Sequence, residues 1–317
     1  MGLHRADRGH QPGRLREGAG GEGQGVARRT VLEVPRPLLH DLDLVGAGGA
    51  VTAERGVAEE KFLRGRVALV TGASSGAGVD IAHELARGGA RVAVHYRSSR
   101  AGADAVVAAI RAAGGEAQAF QADVAVADDI RRLVDEVEVA LGPVSVLVNN
   151  AGPFADTAFR TLTERDWDYV MSTNLKSAFL ASQRVLPGME RLGWGRIVNL
   201  GATSGFVRSH SVYGLAKAAL LHMTESMAIE FAPHVTVNAV VPSQIASART
   251  DRMPAYKAAA LAATPLGRLV TQPEIARMVA LVCSPAFDFI TGRAIVLDGG
   301  RSIPVFPKLN LAAHAEP

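Results

Sequence analysis

The stretch "RVALVTGASSGAGVDIAHELARGG", residues 66–89, predicts the fold of the chain around it. It begins with a β-branched run, passes through a glycine-rich turn and continues as an apolar helical pattern that stops at Gly88 and Gly89. A glycine-rich turn between a strand and a helix lets backbone amides approach a pyrophosphate at the helix N-terminus. The stretch therefore favours a dinucleotide-binding unit, with a tight turn that binds nothing as the alternative.

The same strand and helix alternation continues through the rest of the chain. Apolar strand patterns recur between helical patterns, and Gly or Pro residues separate many of them. Fully apolar strands that alternate with helices predict a parallel sheet covered on both faces. The fold class is therefore α/β, a doubly wound Rossmann-type sheet of seven strands. The six further strand patterns are "RVAVHY", "EAQAFQADV", "VSVLVNN", "GRIVNLG", "VTVNAVV" and "AIVLDGG".

Composition excludes several classes of function. The chain has 317 residues, 48% hydrophobic and 21% charged, with a net charge of +3, which is a globular balance without the charge excess of a nucleic-acid-binding protein. No apolar run reaches the roughly 18 residues of a membrane span, and the N-terminus lacks a secretory apolar core. We expect a cytoplasmic protein with no membrane or nucleic-acid partner. Its single cysteine, Cys283, and its scattered histidines predict a buried thiol and no metal site.

The chain divides into three segments. Residues 1–62 begin rich in Gly and Arg and continue with repeated Pro and Gly breaks, so they predict a disordered or poorly packed extension. Organelle targeting is the less favoured alternative for that extension, because Asp7, Glu17 and Glu22 are acidic. Residues 63–303 predict a single catalytic domain, and residues 304–317 a C-terminal tail.

Four motifs identify a family. The turn has the spacing G-x-x-x-G-x-G, and "NNAG" (residues 149–152), "NLKSAF" and "YGLAK" follow along the chain. With these motifs the chain resembles the short-chain dehydrogenases/reductases over residues 64–300. The resemblance implies hydride transfer between a nicotinamide cofactor and a carbonyl or alcohol carbon.

The resemblance also implies a set of cofactor-binding residues. An acidic residue at the tip of the second strand would favour NAD(H), but Tyr96 stands there, followed by Arg97 and Ser98, so NADP(H) is favoured over NAD(H). A solvated loop arginine is the alternative reading of Arg97. The other implied residues are Gly72, Ser74, Ser75, Gly76, Gly78, Asp123, Val124, Asn150, Ala151, Gly152, Tyr213, Lys217, Pro242, Ile245 and Ser247.

Catalysis is implied for three residues of the last two motifs. Tyr213 would exchange a proton with the substrate oxygen, and Lys217, one helical turn later, would lower the pKa of that phenol. Asn174 would anchor a water that links Lys217 to solvent. A Tyr and a Lys four residues apart also share a face in any helix, so the assignment depends on the other motifs.

One position departs from the family. Members usually carry a serine after the fifth strand that polarises the substrate carbonyl, and Ala202 stands at that position here. Thr203 or Ser204 would take over this role, with Ser204 slightly favoured.

Residues 246–269 correspond to the substrate lid of the family. Arg249, Arg252, Met253 and Tyr256 predict a partly apolar pocket with a basic rim, although arginines in such segments more often face solvent. The predicted substrate is a small carbonyl compound, with an acyl-carrier-bound chain as one option.

The favoured function is NADPH-dependent reduction of a ketone or β-ketoacyl group, as in the family's carrier-protein and polyketide ketoreductases. An NAD(P)-dependent sugar or secondary-alcohol dehydrogenase is the alternative, because "HYRSS" also resembles glucose dehydrogenases. A sensor or scaffold that binds the dinucleotide without catalysis is the alternative from another class. The fourth and fifth predicted helices favour a homodimer or homotetramer.

Overall fold

Seven parallel strands form one sheet in the computed structural model, which describes residues 61–155, 157–207 and 211–303. In chain order the strands are β1 (Val67–Val70), β2 (Arg91–Tyr96), β3 (Glu116–Gln121), β4 (Val144–Asn149), β5 (Gly195–Leu200), β6 (Val235–Pro242) and β7 (Ala294–Leu297). Their order in the sheet is β3-β2-β1-β4-β5-β6-β7. The predicted fold class is confirmed.

Helices connect the strands and cover both faces of the sheet. They are α1 (Ala77–Arg87), α2 (Arg100–Ala112), α3 (Ala127–Leu141), α4 (Glu164–Met171), α5 (Ser177–Arg191), α6 (Val212–Glu230), α7 (Ala248–Asp251), α8 (Pro254–Ala262) and α9 (Gln272–Val282). The helical segment after β4 begins at Thr163, whose hydroxyl accepts the Asp166 amide. It is interrupted by a π-helical turn at Ser172–Lys176, which the sequence analysis missed.

Two apolar clusters form the core, one on each face of the sheet. Ala68 and Val70 of β1 pack with α1, α2 and α9 on one face. Val67 and Leu69 pack with α3, α5 and α6 on the other face. Because successive strand residues point to opposite faces, a fully apolar strand supplies both clusters at once.

The chain reverses its direction of winding between β1 and β4. β1 pairs with β2 on one side and with β4 on the other, so the loops after these strands separate to leave a crevice. Ligands of open α/β sheets bind at such a switch point, outside the carboxyl ends of the strands. The glycine-rich turn after β1 lies at this crevice.

The predicted extension and tail fall mostly outside the described residues. Of residues 1–62 only Lys61 and Phe62 are described, and Phe62 packs against the core cluster that contains Leu63. The domain therefore includes at least one residue before the predicted boundary. Residues 304–317 lie outside the description entirely. Among the described helices, none has the length and apolar character needed to cross a bilayer.

Candidate active site

A cleft of about 680 Å³ follows the carboxyl ends of the strands at the switch point. Its size is within the range of ligand pockets. Four predicted cofactor or catalytic residues, Gly78, Tyr96, Asn174 and Ser204, do not line it. The predicted residues that do line it are Gly72, Ser74, Ser75, Gly76, Arg97, Ser98, Asp123, Val124, Asn150, Ala151, Gly152, Tyr213, Lys217, Pro242, Ile245 and Ser247.

The glycine-rich turn is packed so tightly that one glycine cannot be replaced. A Cβ atom at Gly78 would overlap the carbonyl oxygen of Gly72 and lie 2.8 Å from Asn150 Nδ2. Gly78 thus lies behind the cleft and lets the first turn of α1 approach the loop. The turn is joined to the loop after β4, because the amides of Asn150 and Ala151 both donate to Thr71 Oγ1 at 3.0 Å. This close, glycine-dependent packing fits a loop that holds a pyrophosphate.

His95 connects the glycine-rich turn to the loop after β3. Its Nδ1 accepts the amide of Gly72 at 2.9 Å, and its Nε2 lies 3.1 Å from the carbonyl oxygen of Ala122. These partners require the neutral ring with its proton on Nε2. Burial lowers the pKa of His95 to about 4. This histidine is therefore structural and joins the glycine-rich turn to the loop after β3.

The tip of β2 differs in part from the expectation. Tyr96 does not face the cleft, because its ring belongs to the core cluster and is 6% exposed. Its neighbour Arg97 does line the cleft, and Nη1 of Arg97 donates to the hydroxyl of Tyr169 on α4 at 2.8 Å. The assignment of Tyr96 as a cofactor-binding side chain is therefore not supported, whereas Arg97 is among the residues that line the cleft.

Tyr213 and Lys217 lie on the first turns of α6, which begins at Ser211, whose hydroxyl accepts the amide of Gly214. The Nζ atom of Lys217 donates to the carbonyl oxygen of Leu200 at 2.8 Å and lies 5.5 Å from the centre of the Tyr213 ring. Lys217 is 4% exposed, and burial lowers its pKa to about 8. The pair thus faces the cleft together.

The pKa of Tyr213 shifts in the direction opposite to the one expected. Burial raises it to about 12, and the nearby charge of Arg249 offsets this only in part. The expected net depression of this pKa is therefore not observed, because burial dominates the shift. The Lys217 ammonium donates to the Leu200 carbonyl oxygen. A raised pKa keeps the phenol protonated at neutral pH, which is the form that donates a proton.

Asn174 lies in the π-helical turn, behind Gly152. The hydroxyl of Thr173 donates to the carbonyl oxygen of Tyr169, and that of Ser177 to the carbonyl oxygen of Thr173, which helps to explain the local departure from α-helical bonding. Within the described residues, Asn174 Oδ1 is buried and has no hydrogen-bond partner. π-Turns often occur at functional sites, and this one leaves a buried acceptor close to the cleft.

A second cavity, of about 750 Å³, adjoins the cleft. Tyr213 and Ala202 line both spaces, so the phenol lies at their junction and a methyl group stands where the family has a serine. Thr203 and Ser204 line the second cavity only. Ser204 Oγ is buried and has no partner among the described residues.

The lid segment forms one side of this second cavity. Ser247 caps α7 by accepting the amide of Thr250, and Arg249, Met253 and Tyr256 line the cavity. Arg252 is not among the lining residues, so the predicted basic rim is wrong at that position. The second basic group is Arg301, from the turn after β7, which the sequence analysis missed.

The sequence analysis also missed Tyr169, Phe154 and Gln244, which line the two spaces. The edge of the Phe154 ring contacts Tyr213, with the ring centres 5.1 Å apart. These residues carry no motif, because a single aromatic or amide side chain in a loop is indistinguishable from ordinary packing. Their location at the site is visible only in the folded structure.

The fold and the paired Tyr213 and Lys217 define a nicotinamide-dependent oxidoreductase. A family model described as enoyl-(acyl carrier protein) reductase matches residues 72–302. A 3-oxoacyl-[acyl-carrier-protein] reductase of Staphylococcus aureus is 41% identical over 237 residues, which cover 74% of this chain and 96% of that protein. The chain belongs to the short-chain dehydrogenase/reductase family.

Two solved structures give the same fold. A gluconate 5-dehydrogenase of Burkholderia cenocepacia, in complex with NADP and tartrate, superposes with a TM-score of 0.73 at 28% identity, covering 78% of this chain and 99% of that one. A blue fluorescent protein from a metagenomic library, in complex with NADPH, has a TM-score of 0.70 at 34% identity and covers 76% and 99%. The family membership is therefore supported by both sequence and fold.

Proposed function

We propose that the protein reduces a ketone or 3-oxoacyl group to a secondary alcohol with NADPH, and that Tyr213 donates the proton. The observation that carries the proposal is the position of the Tyr213 phenol at the junction of the dinucleotide cleft and the second cavity. A carbonyl group in the second cavity would meet the phenol beside the cofactor. The 3-oxoacyl reductase relative supports this choice of reaction.

Each group has one task in this reaction. NADPH, when bound, would supply a hydride to the carbonyl carbon, and the overall reaction would consume one proton and release NADP⁺ and the alcohol. Tyr213, protonated because its pKa is raised to about 12, gives its proton to the carbonyl oxygen. The ammonium of Lys217 then stabilises the phenolate, and Asn174 would hold a water through which the phenolate is reprotonated.

A hydroxyl group is needed to polarise the carbonyl oxygen, and we assign it to Ser204. Its Oγ lies on the wall of the second cavity and is buried without a partner among the residues that the structure describes, whereas Ala202 offers only a methyl group. Thr203 lines the same wall and is the alternative. A donor of this kind contributes on the order of 10²–10³ to the rate.

We infer that NADPH is preferred to NADH. Arg97 and Ser98 line the open end of the cleft, where the family recognises the adenosine ribose. A guanidinium pairs strongly with a phosphate group, and Tyr169 holds this one in place. The two neighbouring structures with NADP or NADPH bound agree with this choice.

The remaining cofactor contacts follow the family assignment. Gly72, Ser74, Ser75 and Gly76 would hold the pyrophosphate. The adenine would lie against Asp123 and Val124, and the nicotinamide end against Asn150, Ala151, Gly152, Pro242, Ile245 and Ser247.

A second candidate is oxidation of a sugar acid or another secondary alcohol. The gluconate 5-dehydrogenase neighbour favours it, because the second cavity would also accept a polar substrate. A dinucleotide sensor without catalysis is supported only by Ala202. For assembly and location we keep the predictions of a homodimer or homotetramer through α4, α5 and α6 and of a cytoplasmic protein.

Rates of NADPH oxidation over a panel of substrates test the function. The panel holds simple ketones, keto acids, 3-oxoacyl thioesters free and on a carrier protein, a 2-enoyl thioester, and NADP⁺ with gluconate for the reverse direction. We expect turnover of a ketone, with the alcohol identified by mass spectrometry. Turnover of the enoyl thioester alone would contradict the proposal, and tight NADPH binding without any turnover would favour the sensor.

A further inference from the structure

Among the described residues that line the second cavity, two side chains are cationic and none is acidic. Two arginines, Arg249 and Arg301, are among its described lining residues, and none of those residues is Asp or Glu. Its other walls are apolar or neutral, with Phe154, Val207 and Met253 among them. A partly closed cavity with unbalanced positive charge favours an anionic ligand over a neutral one of the same shape.

Arg249 is exposed, and its charge is unpaired among the described residues. Its guanidinium lies over the ring of Phe154, 4.8 Å from the centroid, and Phe154 in turn contacts Tyr213. Within the described residues it makes no ion pair and no hydrogen bond, whereas the neighbouring Asp251 is paired with Lys257. The aromatic stack therefore orients the guanidinium without neutralising it.

The positive charge of Arg249 affects the pKa of Tyr213, the proposed proton donor. It lowers the pKa of Tyr213, against the larger opposing effect of burial, so the guanidinium acts on the phenol across a short distance. Arg249 also lines both the cleft and the second cavity, as Tyr213 does. An anion bound by Arg249 would thus lie close to the carbonyl group that Tyr213 protonates.

Other polar groups complete the surroundings. Nη1 of Arg301 donates to the carbonyl oxygen of Ala260 on α8 at 3.2 Å, which fixes a second cation on the lid side. The hydroxyl oxygen of Ser204 is buried without a partner in the described part of the chain, and its O–H can donate to an anion. Gln244 Oε1 is likewise without a partner there, but an amide oxygen only accepts and does not bond to a carboxylate. A carboxylate has the geometry to accept two parallel N–H bonds from one guanidinium and further bonds from neighbouring donors.

Building on the proposed ketone reduction, we propose that the natural substrate is a keto acid, whose carboxylate is bound by Arg249 beside the reacting carbonyl. Arg249 is then the residue that determines specificity. A 3-oxoacyl thioester has no charge of its own near the carbonyl, so the proposal narrows the substrate class. The competing role for Arg249 is contact with the pyrophosphate of the dinucleotide, since the same side chain lines the cleft.

Matched pairs of substrates separate these roles. We would measure kcat/KM with saturating NADPH for α-, β- and γ-keto acids, each beside its methyl ester, in the wild type, Arg249→Met and Arg249→Lys. The wild type should prefer at least one acid over its ester by about tenfold or more, a difference typical of one charge-assisted contact. Arg249→Met should remove the preference by raising KM for the acid, and Arg249→Lys should restore it in part.

Two controls make the result specific. Arg252→Met removes a cation from the same segment outside the cavity and should leave the preference unchanged. The dissociation constant of NADPH should stay within about twofold in Arg249→Met, well below the change expected from a lost charge contact. Equal use of acids and esters by the wild type, or a parallel loss of NADPH affinity in Arg249→Met, would overturn the inference while leaving ketone reduction intact.

If no ketone is reduced, a binding measurement tests whether Arg249 binds a carboxylate. In that case the proposed function fails, and titration calorimetry of the corresponding hydroxy acids with the protein and NADP⁺ tests the anion site alone. Binding weakened about tenfold or more by Arg249→Met and unchanged by Arg252→Met supports the site. Undetectable binding, or equal binding in all variants, contradicts it.

Discussion

The dinucleotide cleft and the second cavity differ in how far their polar side chains are hydrogen-bonded within the protein. Around the cleft, Thr71, His95 and Asn150 bond to the loops beside them and fix the glycine-rich turn. Around the second cavity, the side-chain oxygens of Ser204 and Gln244 are buried without partners among the described residues. The polar groups of the glycine-rich turn are therefore satisfied by the protein, whereas those of the second cavity could form hydrogen bonds with a ligand.

The difference indicates where specificity resides. A buried polar group without a partner costs about 1–3 kcal/mol, so a substrate that satisfies Ser204 or Gln244 recovers part of that cost on binding. Near the cleft, Asn174 Oδ1 is the only buried side-chain oxygen without a hydrogen-bond partner in the part of the chain that the structure describes. We therefore expect substitutions near the turn to affect every reaction of the enzyme and substitutions in the cavity to affect particular substrates.

Filling the space at Gly78 should have the broadest effect, because it changes both the stability of the fold and the affinity for NADPH. In Gly78→Ala the new methyl group would overlap backbone atoms of the turn, so we expect NADPH affinity to fall by about 10²-fold or more, with a destabilised fold. Gly114→Ala is the matched control, because a Cβ there meets nothing within 4 Å and only its φ of +79° is strained. Its cost should be about 1 kcal/mol in unfolding free energy, with NADPH affinity unchanged. Fluorescence titration and chemical denaturation measure both quantities, and similar losses in the two variants would contradict the packing argument.

A substitution in the second cavity should act on rate alone. Ser204→Ala should lower kcat by on the order of 10²–10³ if its hydroxyl polarises the carbonyl, while NADPH affinity stays unchanged. Thr203→Val, on the same wall, should change kcat only a few-fold. Steady-state kinetics with the best ketone decides, and a larger loss in Thr203→Val would transfer the role to Thr203.

The third effect is a pH dependence that originates in the cleft. The pKa of His95 is about 4 in the folded protein, below the usual 6.5, so its contribution to stability is full above pH 6.5 and is lost as pH falls toward 4. The loss should approach about 3 kcal/mol, because burial, the largest cause of the shift, outweighs the opposing charge of Asp123. His95→Asn, whose oxygen can accept the Gly72 amide, should lack this part of the slope. Denaturation between these pH values compares the two proteins, and identical slopes would exclude His95 as the source.

The smallest effect concerns cofactor choice. Arg97→Asp should weaken NADPH about tenfold or more and change NADH far less, since only NADPH carries the phosphate that Arg97 would bind. Tyr169→Phe removes the hydroxyl that Arg97 contacts and should show the same preference in weaker form. Dissociation constants for both cofactors measure it, and an equal loss of both would refute the role of Arg97.

The regions also differ in how far the sequence predicted them. The glycine-rich turn, Asn150 and the Tyr213–Lys217 pair belong to local patterns, in which strand, turn and helix signals agree over a few residues. Which of His95 and Tyr96 faces the cleft depends on the strand register, because successive side chains point to opposite faces. Alternation of side chains along the strand does not by itself predict whether His95 or Tyr96 faces the cleft.

The second cavity depends on contacts between distant parts of the chain. Arg249 meets Phe154, and Arg301 meets Ala260, only after the lid has packed against the loops of the sheet. Arg252 has the same chemistry as Arg249 three residues away but does not line the cavity. The π-turn at Asn174 likewise depends on hydroxyl groups that bond to the backbone of their own helix, which helical periodicity does not reveal.

The central claim, that Tyr213 protonates the substrate oxygen beside bound NADPH, is tested most directly by Tyr213→Phe. Single-turnover reduction of the best ketone and NADPH titration, performed on the same preparation, separate chemistry from binding. The account predicts a rate lowered by about 10²–10⁴ with NADPH affinity within threefold of the wild type. An unchanged single-turnover rate would contradict it.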